Sequence, residues 1–269
     1  MAAICILSTV DMPTRWDFPG HGLGKTALMF AENLQKSGHG VTLLAGPESS
    51  HNRITVLPFE TEKELLDWVE DNWDSFDLFI DITHFHHLQE LELDAPVINY
   101  SPDREAFPGP MAVFPTENHR AYWDTPGLII PNAVDIKEFA FNSSPKDYLL
   151  YMAPTYPQKG FKSALHVARV TETSIIFAGA GTEKFPNGQG PVYGKRKVQL
   201  LQNAKALIFP SPHEAGPITV LEAQACGTPV LCYNKGGAAN YVQHGKTGYC
   251  AEDLEELISY TQQIDGVRF

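Results

Sequence analysis

Short apolar runs alternate along this chain with longer stretches in which apolar side chains recur every three or four positions. The first kind reads as strands buried on both faces. The second reads as amphipathic helices. In the first half the pattern predicts strands over 3–9, 40–45, 53–57, 77–82, 95–99, 111–114 and 127–130. Helices are predicted over 22–37, 61–73 and 117–123. Leu23, Ala27, Phe30, Ala31 and Leu34 mark one face of the first helix, and Ser37-Gly38 supplies its stop. In the second half strands are predicted over 147–152, 173–178, 206–209, 229–233 and 247–250. Helices are predicted over 159–170, 194–204, 217–226, 237–243 and 252–263. Between the halves, near 132–146, Asn142-Ser143-Ser144-Pro145 is a loop-forming run. Strand–helix alternation from end to end predicts an α/β protein with parallel sheets. Its natural form is two Rossmann-like domains facing across a cleft, residues 1–140 and 141–269. No internal repeat and no low-complexity segment interrupts it.

Composition narrows the partners. The chain has 269 residues, enough for two small domains with cores of their own. Apolar content of 43% and charged content of 19% are ordinary for a globular protein. Twenty Lys and Arg stand against 32 Asp and Glu, a net charge of −12. Phosphate backbones demand clustered cations, so a nucleic-acid partner is not expected. Cys5, Cys226, Cys232 and Cys250 form no C-x-x-C pair; buried free thiols are expected, and a zinc site is not. No run approaches the roughly 20 apolar residues of a membrane span. The apolar run Ala2–Leu7 is too short for a secretion signal and lacks a basic start. The expectation is a reduced, cytoplasmic protein.

The segment Pro210–Gly237, P-S-P-H-E-A-G-P-I-T-V-L-E-A-Q-A-C-G-T-P-V-L-C-Y-N-K-G-G, concentrates the chemistry. Pro217 suits the first position of a helix, and Ile218, Leu221 and Ala225 follow at helical spacing. Glu214 is thereby placed just before a helix N-terminus and Glu222 about one turn inside it. Free N–H groups at such a terminus attract a diphosphate, and carboxylates accept hydrogen bonds from sugar or ribose hydroxyls. The segment resembles the E-x7-E signature of retaining GT-B glycosyltransferases, family four in particular. The likeness continues through E-A-Q-A-C-G-T-P-V and Gly236-Gly237 and is collinear over most of the chain.

That resemblance implies two Rossmann-like domains and transfer of a sugar from a nucleotide diphosphate donor. A UDP-sugar is the first expectation and a GDP-sugar the next; both are substrates, and no cofactor is implied. It gives Glu214 the sugar hydroxyls and Glu222 the nucleotide ribose. Pro217 has no N–H to give, so Gly216, Ile218 and Thr219 must supply the amide contacts. Lys159-Gly160 matches the family's K-G, with Lys159 and Glu214 as the catalytic pair of residues; the family's G-R is replaced by Ala153-Pro154. Gly179 and Gly181 match its G-x-G turn near the nucleotide. Gly22 and Gly24, in F-P-G-H-G-L-G-K-T, match a glycine loop on the donor side of the first domain. His84 and Asp103 fall at positions near the acceptor. Pro131-Asn132-Ala133-Val134-Asp135 matches the interdomain P-N-G-V-D, and Asn240 replaces the acid of G-G-x-x-E. No D-x-D occurs, so no metal site is implied and the leaving phosphate is expected to be met by lysine and helix amides.

Two rival readings accompany this one. A degenerate relative would bind sugar nucleotides without turnover. Gly24-Lys25-Thr26 ends like a Walker A loop of a nucleotide hydrolase, but the glycine required five positions before Gly24 is Pro19.

Overall fold

The computed structural model describes residues 1–18, 22–104 and 106–264. The chain divides into two compact units: Met1–Pro115 with Arg120–Pro131, and Thr116–His119 with the residues from Asn132 onward.

The first unit is built on a seven-stranded parallel sheet in the order β3-β2-β1-β4-β5-β6-β7. Its strands are β1 (Ala3–Leu7), β2 (Gly40–Ala45), β3 (Thr55–Pro58), β4 (Leu78–Asp81), β5 (Val97–Tyr100), β6 (Ala112–Phe114) and β7 (Gly127–Ile129). Its helices include α1 (Gly22–Lys36) and α2 (Glu62–Asn72); α3 (Glu117–Trp123) begins among residues of the second unit and ends in the first. Alternate residues of β1 serve opposite faces, as the pleat requires. Ile4 and Ile6 join a core with Ala27, Leu28 and Ala31 of α1. Cys5 and Leu7 join another with Leu65 and Val69 of α2. Helix α2 starts where Thr61 accepts the Glu64 N–H at 3.2 Å.

The second unit carries a five-stranded parallel sheet in the order β12-β11-β10-β8-β9. Its strands are β8 (Leu149–Met152), β9 (Ile175–Ala178), β10 (Ala206–Phe209), β11 (Val230–Tyr233) and β12 (Gly248–Ala251). Its helices are α4 (Phe161–Val170), α5 (Gly194–Asn203), α6 (Ile218–Ala225), α7 (Gly236–Tyr241) and α8 (Leu254–Gln263). Leu150, Leu207 and Val230 pack with α5 and α6 residues on one face. Leu149, Tyr151, Ile208 and Leu231 pack with α4 and α8 residues on the other.

Every strand and helix read from the sequence is present within a few residues of its expected ends. The unit boundary differs. It falls at Pro131/Asn132, ahead of the expected 140/141. Asn132 is drawn into the second unit by its own bonds: its backbone N–H donates to the Tyr241 hydroxyl at 3.2 Å and its Nδ2 to Gly216 O at 2.7 Å. The loop-forming run at 142–145 lies inside that unit and separates nothing. None of the four cysteines forms a disulfide; three are buried and Cys250 is half-buried. Among the described residues no helix is long and apolar enough to cross a membrane.

Candidate functional site

In an open parallel sheet, ligands bind outside the carboxyl ends of the strands where the strand order reverses. In the second unit that point lies between β8 and β10, which are neighbours while the chain winds outward from each. The loop after β8 carries Lys159, and the loop after β10 carries Glu214. Lys159 Nζ donates to Glu214 Oε1 at 2.5 Å, with the side chains 29% and 18% exposed. The two loops are held at close quarters by Gly160, which has φ +74° and leaves only 2.1 Å between an added Cβ and Pro210 O. No other residue fits there. Ser211 adds a hydroxyl that donates to Gln158 O at 2.8 Å and reaches Glu214 Oε1 at 3.4 Å. Beneath them the Tyr151 hydroxyl donates to Pro154 O at 2.8 Å and Lys159 O at 3.3 Å. Burial, and then the Glu214 charge, push this phenol well above its ordinary pKa.

Glu222 occupies the first turns of α6 and is only 6% exposed. Lys197 of α5 donates to its Oε1. Its Oε2 is buried with no hydrogen-bond partner among the described residues. A buried carboxylate oxygen left unmatched costs desolvation energy, and such atoms in native proteins call for an explanation. Pro217 stands at the N-cap of α6, extended at ψ 109°, and not at the first helical position as its sequence context suggested. Its ring satisfies the entry to the helix without supplying a capping side chain. The N–H groups of Ile218 and Thr219 follow in the first turn, where an α-helix offers them no internal acceptor.

The turn between Glu214 and Ile218 is fixed from both sides. Ala215 O accepts the Thr116 hydroxyl at 2.5 Å, and Gly216 O accepts Asn132 Nδ2 at 2.7 Å. Gly237 N–H donates to Glu214 O at 2.6 Å, with 2.0 Å between an added Cβ and Ala215 O. Asn240 has a structural partner: its Oδ1 accepts the Asn118 N–H at 3.0 Å. Gly179 and Gly181, both at positive φ, form the turn after β9. An added Cβ on Gly179 would meet Ala153 O at 2.2 Å. Two cations, two carboxylates, a row of helix-start amides and three glycine-permitted close approaches can together hold a polyanion and read hydroxyl groups.

The first unit brings His84 and Asp103 together, ring nitrogen Nδ1 to carboxylate Oδ2. Gly22 opens α1 and is exposed, whereas Gly24 is buried inside the helix. Pro19, Gly20 and His21 lie outside the described residues. The Thr26 hydroxyl donates to Gly22 O at 3.1 Å within its own helix.

The sequence reading missed Lys197, Ser211 and Tyr151. Only Lys197 left a trace: it precedes the buried Leu200 and Leu201 by three and four positions, so a cation stands on the inward stripe of α5.

Residues 188–264 match the family described as "Glycosyl transferases group 1". This stretch resembles a group 1 glycosyltransferase domain. A D-inositol 3-phosphate glycosyltransferase of Paenarthrobacter aurescens is 35% identical over 69 residues, 26% of this chain and 17% of that enzyme. A sucrose synthase of Solanum tuberosum is 43% identical over 44 residues, 16% of this chain and 6% of that protein. The matched stretches thus span less than a fifth of those relatives. Similarity of fold extends over nearly the whole chain. AviGT4, a glycosyltransferase involved in avilamycin A biosynthesis, superposes with a TM-score of 0.74 at 20% identity, over 97% of this chain and 88% of its own. HepE of Anabaena, solved with UDP and glucose, gives 0.71 at 14% identity, over 99% and 92%. The two parallel sheets have the GT-B fold of these proteins.

Proposed function

We propose that the chain is a retaining glycosyltransferase that moves a sugar from a nucleotide diphosphate donor to an acceptor hydroxyl without a metal ion. The observation that carries this reading is the Lys159–Glu214 pair at the strand-order reversal of the second unit, three residues ahead of the α6 entry. Glu214 takes sugar hydroxyls, and Glu222, with its unmatched buried oxygen, takes the ribose. Lys159 and the Ile218 and Thr219 amides take the diphosphate, with Lys197 holding Glu222 in place. Gly179 and Gly181 let the backbone come close to the nucleotide, as does Gly216. In the first unit Gly22 and Gly24 contribute to the donor side, and His84 with Asp103 to the acceptor. UDP is the favoured base, in keeping with HepE, and GDP the second.

The chemistry needs no protein nucleophile. The bond from the sugar's anomeric carbon to the β-phosphate oxygen breaks, and the acceptor oxygen bonds to that carbon from the same face. The acceptor proton passes to the departing phosphate. What the chain supplies is orientation and positive charge where negative charge develops. Lys159→Ala is accordingly expected to lower turnover more than donor affinity. Equal losses in both would remove its assigned role.

Thermal unfolding with UDP, GDP, ADP and their sugar conjugates, in the absence of metal, tests the site directly. Stabilisation by one diphosphate series identifies the donor base. Binding without transfer to any acceptor marks a non-catalytic sugar-nucleotide protein. Stabilisation confined to ATP with magnesium returns the chain to a nucleotide hydrolase.

A further inference from the structure

The first unit has a strand-order reversal of its own, between β1 and β4. A cavity of about 110 Å³ opens there, walled by Ser8–Asp11 after β1 and by Asp81 and Thr83–Phe85 after β4. Its rim and floor include three carboxylates, Asp11, Glu62 and Asp81, together with His84 and His87. Leu7, Leu65 and Leu88 supply apolar wall, and among the described residues no Lys or Arg lines it.

Asp81 is the unusual member. It is 1% exposed at the end of β4. Its Oδ1 accepts the Thr83 N–H at 2.8 Å and the Thr83 hydroxyl at 2.6 Å. Its Oδ2 is buried with no hydrogen-bond partner among the described residues. His86 Nδ1 stands 3.8 Å from Oδ1, too far to satisfy the carboxylate. A carboxylate this buried is retained at a cost unless a counter-charge meets it. Around it the charge accumulates. Burial, with Asp81, Asp11 and Glu90 nearby, pushes the Glu62 carboxyl up, against the opposing pull of His87. His87 itself is shared between Glu62 at 3.3 Å and Glu90 at 3.4 Å.

We infer that this cavity binds a protonated primary amine carried by a small hydroxylated molecule, of the amino-sugar class. A concave wall of one sign concentrates the field on the opposite charge. An ammonium has three donors to offer the acidic lining of the cavity, Asp81 included. Its carbon skeleton meets the leucines. The volume holds such a group with a few ring atoms, whereas a solvated water site needs about a tenth of it. A divalent cation fits less well: among the described residues no three His, Cys, Asp or Glu side chains are placed to coordinate one. The binding stands on the cavity alone. The further role of that amine as part of the acceptor rests on the glycosyl-transfer reading above.

Calorimetry on the full chain tests it, with glucosamine, N-acetylglucosamine and glucose as probes. Glucosamine is expected to bind at least about tenfold more tightly than the two uncharged sugars. Asp81→Asn is expected to erase that preference. If Asp81→Asn fails to fold, Asp11→Asn at the exposed rim is expected to reduce it several-fold with the fold intact. Equal affinity for the three sugars, or no binding of any, overturns the inference, as does a preference that both Asn variants leave unchanged. UDP stabilisation measured on the same protein separates the readings. UDP binding without amine preference removes this pocket and keeps the donor site. Amine preference without nucleotide binding does the reverse.

Discussion

At the residue scale, Lys197 and Glu222 show how a short element makes a charged site tolerable. Glu222 is buried on the inward side of α6, and among the described residues Lys197 is the cation that meets it. Lys197→Met leaves an uncompensated carboxylate and is expected to cost about 1–3 kcal/mol in urea unfolding. Pairing it with Glu222→Leu is expected to recover part of that loss, and strictly additive losses would dissolve the pair. Glu222→Ala is expected to weaken nucleotide binding by about 1–3 kcal/mol, read by calorimetry. Glu62 offers a pH test. A carboxyl raised in the folded state holds its proton where the unfolded chain has released it, so stability falls as pH climbs from the ordinary value, about 4.3, through the raised one. Glu62→Gln is expected to raise Tm at pH 7, with the gain shrinking as the pH is lowered through that window. The E-x7-E spacing exposed Glu214 and Glu222 in the sequence, and K-G exposed Lys159. Lys197 stayed hidden because its partner lies 25 positions away on another helix, a distance no local pattern encodes.

At the element scale, the loops after β8, β9 and β10 do the positioning, and glycine is what lets them approach. Gly179 has φ +134°, with Ala153 O 2.2 Å from where a Cβ would lie. Gly179→Ala is expected to destabilise by about 1–3 kcal/mol, since it adds both strain and a clash. An unchanged urea midpoint would show that the turn relaxes freely. The strands themselves were readable because they are buried on both faces and therefore continuously apolar, as in Ala206-Leu207-Ile208-Phe209. Pro217 was readable as a helix start, but not to the residue: cap and first helical position differ only in ψ, which composition does not disclose. Asn240 was read as a lost acid, yet its amide oxygen serves the Asn118 N–H, a partner fixed by tertiary structure alone.

At the scale of the whole molecule, the net charge of −12 falls on the first unit, which holds 19 Asp and Glu against 7 Lys and Arg, while the second holds 13 of each sign. Raising salt from about 10 mM to about 150 mM shortens the screening length from roughly 30 Å to roughly 8 Å. That relief of self-repulsion is expected to raise Tm, and a fall would mean that attractive pairs dominate. The alternation of strands and helices revealed two parallel sheets. It did not reveal where one unit yields to the next, because the boundary is drawn by side-chain bonds and not by a linker. The chain passes between the units three times, at Pro115/Thr116, His119/Arg120 and Pro131/Asn132. Dissecting the gene at one point therefore cannot liberate the second unit whole. A fragment starting at Asn132 leaves behind Thr116, whose hydroxyl meets Ala215 O, and Asn118, which meets Gly236 O and Asn240. The turn that aims Glu214 would lose its upstream brace. A splice that carries residues 116–119 back to it, by circular permutation or a tethered peptide, is the way to study that half in isolation.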